Sequence, residues 1–252
     1  MEIRYRKGQN WQRANSIIER IGAADLKAPI ISVIGAGGKT TTIRRMTEEF
    51  AQLKRKVIVT TTTHMRVEED PCFLTIPSLD RLQELLHKYE KVYVGSPADD
   101  GKMKCVSPSF LKRVLAQELP LLIEADGAKG MPLKVPKEHE PVILPQTTHV
   151  LAVYGMDSIG KPLKEVCFRI DKAAELLKKG KAETVTPQDI AAIAASQRGG
   201  KKNCPPDAQY WVILNKAEGA SRLEAAAQIC QMLFEKGINN ILVTGKGERG
   251  RR

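Results

Sequence analysis

Residues 33–42, Val-Ile-Gly-Ala-Gly-Gly-Lys-Thr-Thr-Thr, constrain this chain more than any other stretch, because an apolar run opens there into glycines, a lysine and hydroxyls. Residues 30–34 are rich in β-branched apolar side chains, and Ile43, Met46, Phe50 and Leu53 follow at helical spacing, so strand, loop and helix arrive in that order. Glycines let successive backbone N–H groups turn toward an anion. The helix N-terminus faces the same point, and Lys39 adds a full positive charge. The segment reads as a phosphate-binding loop in which Gly35, Ala36, Gly37, Gly38, Lys39, Thr40 and Thr41 are candidate nucleotide contacts and the Thr40 hydroxyl is a candidate Mg2+ ligand. The common spacing G-x-x-x-x-G-K-[ST] would place glycine at position 33, where this chain has Val33, so the loop is a short form. A glycine-rich turn with an incidental lysine is the competing reading.

The chain has 252 residues, enough for one large α/β domain. The expected organisation is an extension over residues 1–29 packed on the core, then one domain over 30–248, with 131–208 as an insertion or substrate-facing region. No run approaches the ~18 apolar residues of a membrane span, and the polar start lacks a signal peptide's apolar segment, so cytoplasmic placement without membrane contact is expected. The cysteines at 72, 105, 167, 204 and 230 contain no C-x-x-C pair, which argues against a zinc site or a disulfide framework. Forty basic against 29 acidic residues give a formal charge of +11, compatible with nucleic acid, an acidic partner or a phosphate-rich ligand. Aromatic residues make up only 5% and do not interleave with basic runs, so a nucleic-acid platform is disfavoured. The basic ends, Arg4, Arg6 and Lys7 at one and Arg249, Arg251 and Arg252 at the other, read as solvated tails.

A second apolar strand runs from residue 56 into Thr60, Thr61, Thr62, Thr63 and His64. In an open parallel sheet ligands gather beyond the carboxyl ends of the strands, so Thr62, Thr63 and His64 are candidate substrate contacts; β-propensity alone would also explain the threonines. Ser107-Pro108 and Thr186-Pro187 each open a helix, with cap and first-turn proline in place. Another apolar strand ends in Glu124-Ala125-Asp126-Gly127-Ala128-Lys129-Gly130. A spacing of two puts Glu124 and Asp126 on one face, where either could hold Mg2+ while the other orients a nucleophile, and Lys129 could neutralise a phosphoryl group. Glu124, Asp126, Lys129 and Lys39 are therefore the catalytic candidates. The proline- and charge-rich stretch 131–141 reads as an ordered loop whose Lys134 and His139 are candidate substrate contacts. Gly199-Gly200-Lys201-Lys202 reads as a linker or an anion contact, with linker preferred.

Late in the chain the strand at 210–214 leads into Asn215-Lys216-Ala217-Glu218, which resembles the N-K-x-D element of GTP-binding proteins. Asn215, Lys216 and Glu218 are candidate base contacts. A carboxylate can accept the paired N1–H and N2–H donors of guanine, but Glu218 stands where that element has Asp, so GTP and ATP both remain open. Thr244-Gly245-Lys246-Gly247 is a candidate base-proximal turn. Short loops of this kind resemble those of the Mur ligases, and the Gly-Gly-Lys-Thr cluster resembles the metallochaperone and dethiobiotin synthetase branch of P-loop proteins.

GAGGKTTT, TTTTHM, LLIEADGAKGMPLKVPKEHEPV and ILNKAE, in this order over residues 30–245, resemble the YqeC family, accessory proteins of selenium-dependent molybdenum hydroxylases. The resemblance implies a three-layer P-loop NTPase-like α/β fold with a mainly parallel central sheet and helices on both faces. It also implies a pathway, the maturation or insertion of a selenium-containing molybdenum cofactor, with that cofactor or a selenium species and an apo-hydroxylase as partners. The expected activity is Mg2+-dependent NTP hydrolysis or transfer. A nucleotide-gated cofactor carrier with little turnover and a Mur-like ligase or small-molecule kinase are the alternatives.

Overall fold

The structure, a computed structural model, describes residues 1–8 and 10–246. Ten strands form one sheet in the order Asn10–Ala14, Glu2–Lys7, Ile241–Gly245, Gln209–Asn215, His149–Gly155, Ile30–Gly35, Leu121–Glu124, Val57–Thr61, Lys91–Val94 and Phe73–Leu74. Every pairing from Ile241–Gly245 to Phe73–Leu74 is parallel. The two N-terminal strands join at one edge as an antiparallel hairpin. The loop strand Ile30–Gly35 thus lies between the acid strand Leu121–Glu124 and His149–Gly155, and the polar ends of all three emerge together.

Period-two alternation divides the core between the two faces of the sheet. Ile31, Val33, Leu122, Leu151 and Val153 pack with Ile43, Met46 and Phe50 of the helix Lys39–Gln52. Leu121, Ile123, Val150 and Ala152 pack on the opposite face with Leu82, Leu85, Ile190 and Ile229. Helices therefore cover both faces, giving the three-layer α/β arrangement the sequence implies. Leu53 departs from the expected apolar stripe: it caps the C-terminus of its helix and is 45% exposed.

Two readings change on folding. Arg4, Arg6 and Lys7 belong to an ordered strand paired with Ile241–Gly245, because backbone pairing there outweighs their charge; Arg249, Arg251 and Arg252 lie outside the described residues. Gly199 and Gly200 are buried, and a Cβ on Gly200 would stand 2.2 Å from the Tyr154 hydroxyl oxygen and 2.4 Å from that of Tyr210, so the turn is tightly packed rather than a linker. The segment after Asn15 is tied, as the expected packing of the extension on the core requires, to the helix Lys39–Gln52 by Glu49, only 3% exposed, whose Oε2 accepts from Ser16 Oγ and the Ile17 and Ile18 amides. Both caps form, Ser107 accepting from the Phe110 amide and Thr186 making a capping box with Asp189. Among the described residues no helix is long and apolar enough to cross a membrane, and all the cysteines are free.

Candidate functional site

The loop is shaped by close approach of neighbouring strands. Gly37 has φ +83°, and a Cβ there would stand 2.4 Å from the Gly155 amide nitrogen; on Gly38, φ +139°, it would stand 2.0 Å from Asn215 Nδ2. Neither position admits a side chain. The Ala36 amide donates to Val153 O at 2.8 Å, and the Lys39–Gln52 helix starts directly after Gly38. The first amides of that helix have no intrahelical acceptor and face the cleft described below, the arrangement that suits an anion.

Behind the loop lies a buried chain of charges. Lys39, 5% exposed, donates to Gly35 O at 2.8 Å and pairs with Asp126 Oδ1 at 3.2 Å, with Glu124 Oε1 at 3.9 Å. Asp126 Oδ2 accepts from the Gly35 amide at 3.0 Å and forms an ion pair with Lys134 Nζ, also at 3.0 Å. Lys134 continues to Glu140 at 2.8 Å and to Gly127 O at 2.6 Å, and Glu140 pairs with Arg169 at 2.7 Å. Both acids of the expected pair thus reach Lys39, with different surroundings. Asp126 Oδ1 has the ion pair to Lys39 but no hydrogen bond. Glu124 Oε2 accepts from Thr40 Oγ1 at 3.1 Å. Burial holds the Glu124 carboxyl above the ordinary carboxylate range, against the pull of Lys39 and the Thr40 hydroxyl.

Lys134 requires a correction. Instead of facing substrate it is 2% exposed, donating a hydrogen bond to Gly127 O and forming ion pairs with Asp126 and Glu140. His139 is exposed on the same loop and does not line the cleft.

A cleft of about 850 Å³ gathers the remaining pieces. Its walls include Gly37, Gly38, Lys39, Thr40 and Thr41 from the loop, Glu124 from the acid strand, Gly127 and Lys129 from the turn, and Thr63 and His64. Thr62 instead donates to Val142 O at 2.8 Å, and Thr61 donates to Glu124 O at 2.9 Å, fastening the threonine run to the acid strand. The exposed Lys129 ammonium sits 5.6 Å from the Phe168 ring centroid. Unforeseen from the sequence are Arg66, Lys102, Lys104, Glu140, Phe168 and Arg169 on the same walls. The Asp100-Gly101 dipeptide, a hairpin-turn signal, could have led to Lys102 and Lys104; nothing local marks Arg169.

Asn215, Lys216 and Glu218 do not share one opening. Asn215 is 5% exposed beneath the loop, its Nδ2 donating to Gly37 O and its Oδ1 accepting from Thr244 Oγ1, each at 2.8 Å. Lys216 turns to the main cleft and pairs with Asp157 at 2.7 Å. Glu218 accepts from the Lys246 amide at 2.8 Å and lines separate depressions of about 260 and 570 Å³. Gly247 lies outside the described residues.

The donor set suits Mg2+ better than a metal held by protein alone. The described residues contain no cluster of three or more His, Cys, Asp or Glu side chains able to hold a metal ion. A carboxylate and a hydroxyl beside the glycine loop match an ion that keeps waters and takes oxygen ligands from a bound anion.

The chain is 29% identical over 231 residues to an Escherichia coli (strain K12) protein described as uncharacterized protein YqeC, covering 86% of this chain and 88% of that one. Among solved structures, the MinC:MinD cell division protein complex of Aquifex aeolicus superposes with a TM-score of 0.44 and 12% identity, over 85% of this chain and 79% of that one. The pattern of the family described as YqeC protein matches residues 31–171, more than half of the sequence, and the chain belongs to that family.

Proposed function

We propose that this protein binds a nucleoside triphosphate with Mg2+ and uses it in hydrolysis or group transfer. The observation that carries the reading is the Thr40 Oγ1 to Glu124 Oε2 contact of 3.1 Å beside Lys39, at the mouth of a glycine loop whose helix amides face the cleft. In this reading the Gly35–Thr41 amides and Lys39 cradle the phosphates, and Thr40 with Glu124 holds the ion. When bound, Mg2+ would neutralise charge building on the transferred phosphoryl group. Asp126 fixes the loop through the Gly35 amide and orients Lys39. In this reading Lys129, which lines the same cleft, would neutralise charge on a phosphoryl group. Because Glu218 lines depressions apart from this cleft, the reading carries no choice of base, and GTP and ATP are both compatible with it. The family resemblance supports placing this step in the maturation or insertion of a selenium-containing molybdenum cofactor, with an apo-hydroxylase as the receiving partner.

The test is equilibrium binding of Mg-GTP and Mg-ATP to the wild-type and Lys39→Ala chains. A loss of about a hundredfold in affinity is expected for the variant, since a full charge in a largely buried site is removed. Equal binding by the two chains would end the proposal. A nucleotide-gated carrier is the second reading, favoured by the charge chain from Lys39 through Asp126, Lys134 and Glu140 to Arg169. That chain joins Lys39 of the loop to Arg169, which also lines the cleft. Turnover that appears only with an apo-hydroxylase present would distinguish it.

A further inference from the structure

Three short strands, His64–Arg66, Lys102–Lys104 and Ser96–Ala98, make a small antiparallel sheet beside the carboxyl end of the main one. Its register places His64 opposite Lys104 and Arg66 opposite Lys102, with Ser96 and Ala98 completing the two rungs. Met65 and Met103 face each other on the other side, 4% and 0% exposed. One face of the sheet is therefore apolar and anchored, and the other carries basic side chains in directly opposed pairs. In the rung where Arg66 faces Lys102 two like charges stand opposite one another, an arrangement that destabilises a sheet. Among the described residues the only acid that pairs with any of the four is Asp100, 3.7 Å from Lys102. All four basic residues line the cleft that holds the phosphate loop. The strand bearing His64 and Arg66 continues from Thr61, which is paired with Glu124 across adjacent strands, so the basic face stands next to the acid.

We propose that this basic face binds the phosphate, or an equivalent tetrahedral oxyanion, of a second, acceptor molecule held in the cleft together with the nucleotide. The proposal rests on the nucleotide reading for its pairing of two ligands, and it names the class of the second one as a small phosphorylated compound. A cluster of basic side chains with one acid partner among the described residues, and one rung of opposed like charges, is the kind of local conflict expected where a ligand supplies the missing charge. Ser96 and Ala98 leave the rungs short on one side, giving the Lys102 and Lys104 ammonium groups room to converge on such a ligand.

Calorimetric titration with inorganic phosphate tests this in two forms of the full chain: wild type saturated with a non-hydrolysable triphosphate analogue and Mg2+, and Lys39→Ala without nucleotide. One phosphate site is expected in each. The double substitution Arg66→Thr and Lys104→Thr, added to either form, should weaken that site roughly tenfold or more while changing the wild-type loop's affinity for the analogue by less than about twofold. Threonine preserves strand propensity, and the double variant should unfold at the same or a higher temperature because opposed charges are removed. Absence of phosphate binding in both forms would overturn the proposal. So would a parallel loss of phosphate and analogue affinity, which would assign the basic face to the nucleotide's own phosphates. Failure of the nucleotide reading shows separately, as failure of the analogue to bind wild type, while the Lys39→Ala titration still reports on the basic face.

Discussion

Lys134 shows how a single side chain changes meaning on folding. In a proline-rich, charged stretch a lysine reads as a surface contact, because local sequence cannot reveal that Asp126 and Glu140 close over it. With its side chain at 0% exposure, a hydrogen bond to Gly127 O and ion pairs to two carboxylates, it is a structural cation. Lys134→Met should leave both carboxylates facing a methyl group and lower unfolding free energy by about 3–5 kcal/mol, read from urea midpoints. A loss below about 1 kcal/mol would mean the network is dispensable. The contrasting residue is Lys129, exposed beside Phe168 and bound to no carboxylate among the described residues. Lys129→Ala should shift stability by no more than about 0.5 kcal/mol while reducing triphosphate turnover, a separation of fold from chemistry that Lys134 cannot show.

At the scale of elements, legibility followed the length of the local pattern. The strand, glycine loop and helix over 30–52 were readable because three successive periodicities agree, and the acid strand because its apolar run ends abruptly in carboxyls. The three-residue strands of the basic sheet are too short to display alternation, and the Phe168 and Arg169 wall is assembled by contacts distant in sequence. Asn215 lies between these cases: its position after a late strand was legible, but not its use as a strut under Gly37. Asn215→Ala should withdraw support from both Gly37 O and Thr244, costing about 1–3 kcal/mol and loosening nucleotide binding even though the amide does not face the cleft. The start of the His149–Gly155 strand gives a pH test. His149 is 1% exposed, between Thr148 Oγ1 and Ile21 O, and burial holds its ring below the ordinary 6.5 despite the contact to Ile21. The unfolded chain takes up a proton near pH 6.5 and the folded chain resists it, so this contribution is full above that pH and lost as pH falls below it. Urea midpoints should decline between about pH 7.5 and 5.5, and His149→Gln should flatten that part of the profile.

For the whole molecule, the glycine-loop strand, the acid strand and the threonine strand are neighbours in one sheet, so a ligand that bridges Lys39, Thr40 and Glu124 reinforces contacts between the centre of the sheet and the flanking helix Lys39–Gln52. Binding of that kind appears as global stabilisation, because the unfolded chain offers no equivalent site. At about a hundredfold excess over Kd the gain is about 2.7 kcal/mol, or an increase of about 5–10 °C in unfolding temperature for a chain of this size. Triphosphate alone should give part of that increase through the loop and Lys39. Adding Mg2+ should give a further increment that depends on Glu124, since the ion needs its carboxylate charged and close to the Thr40 hydroxyl. Glu124→Gln should keep the metal-free shift and lose the increment, and Lys39→Ala should lose both. If Glu124→Gln retained the full response to Mg2+, the ion would have to be held elsewhere, with Asp126 the next candidate because its buried Oδ1 accepts no hydrogen bond.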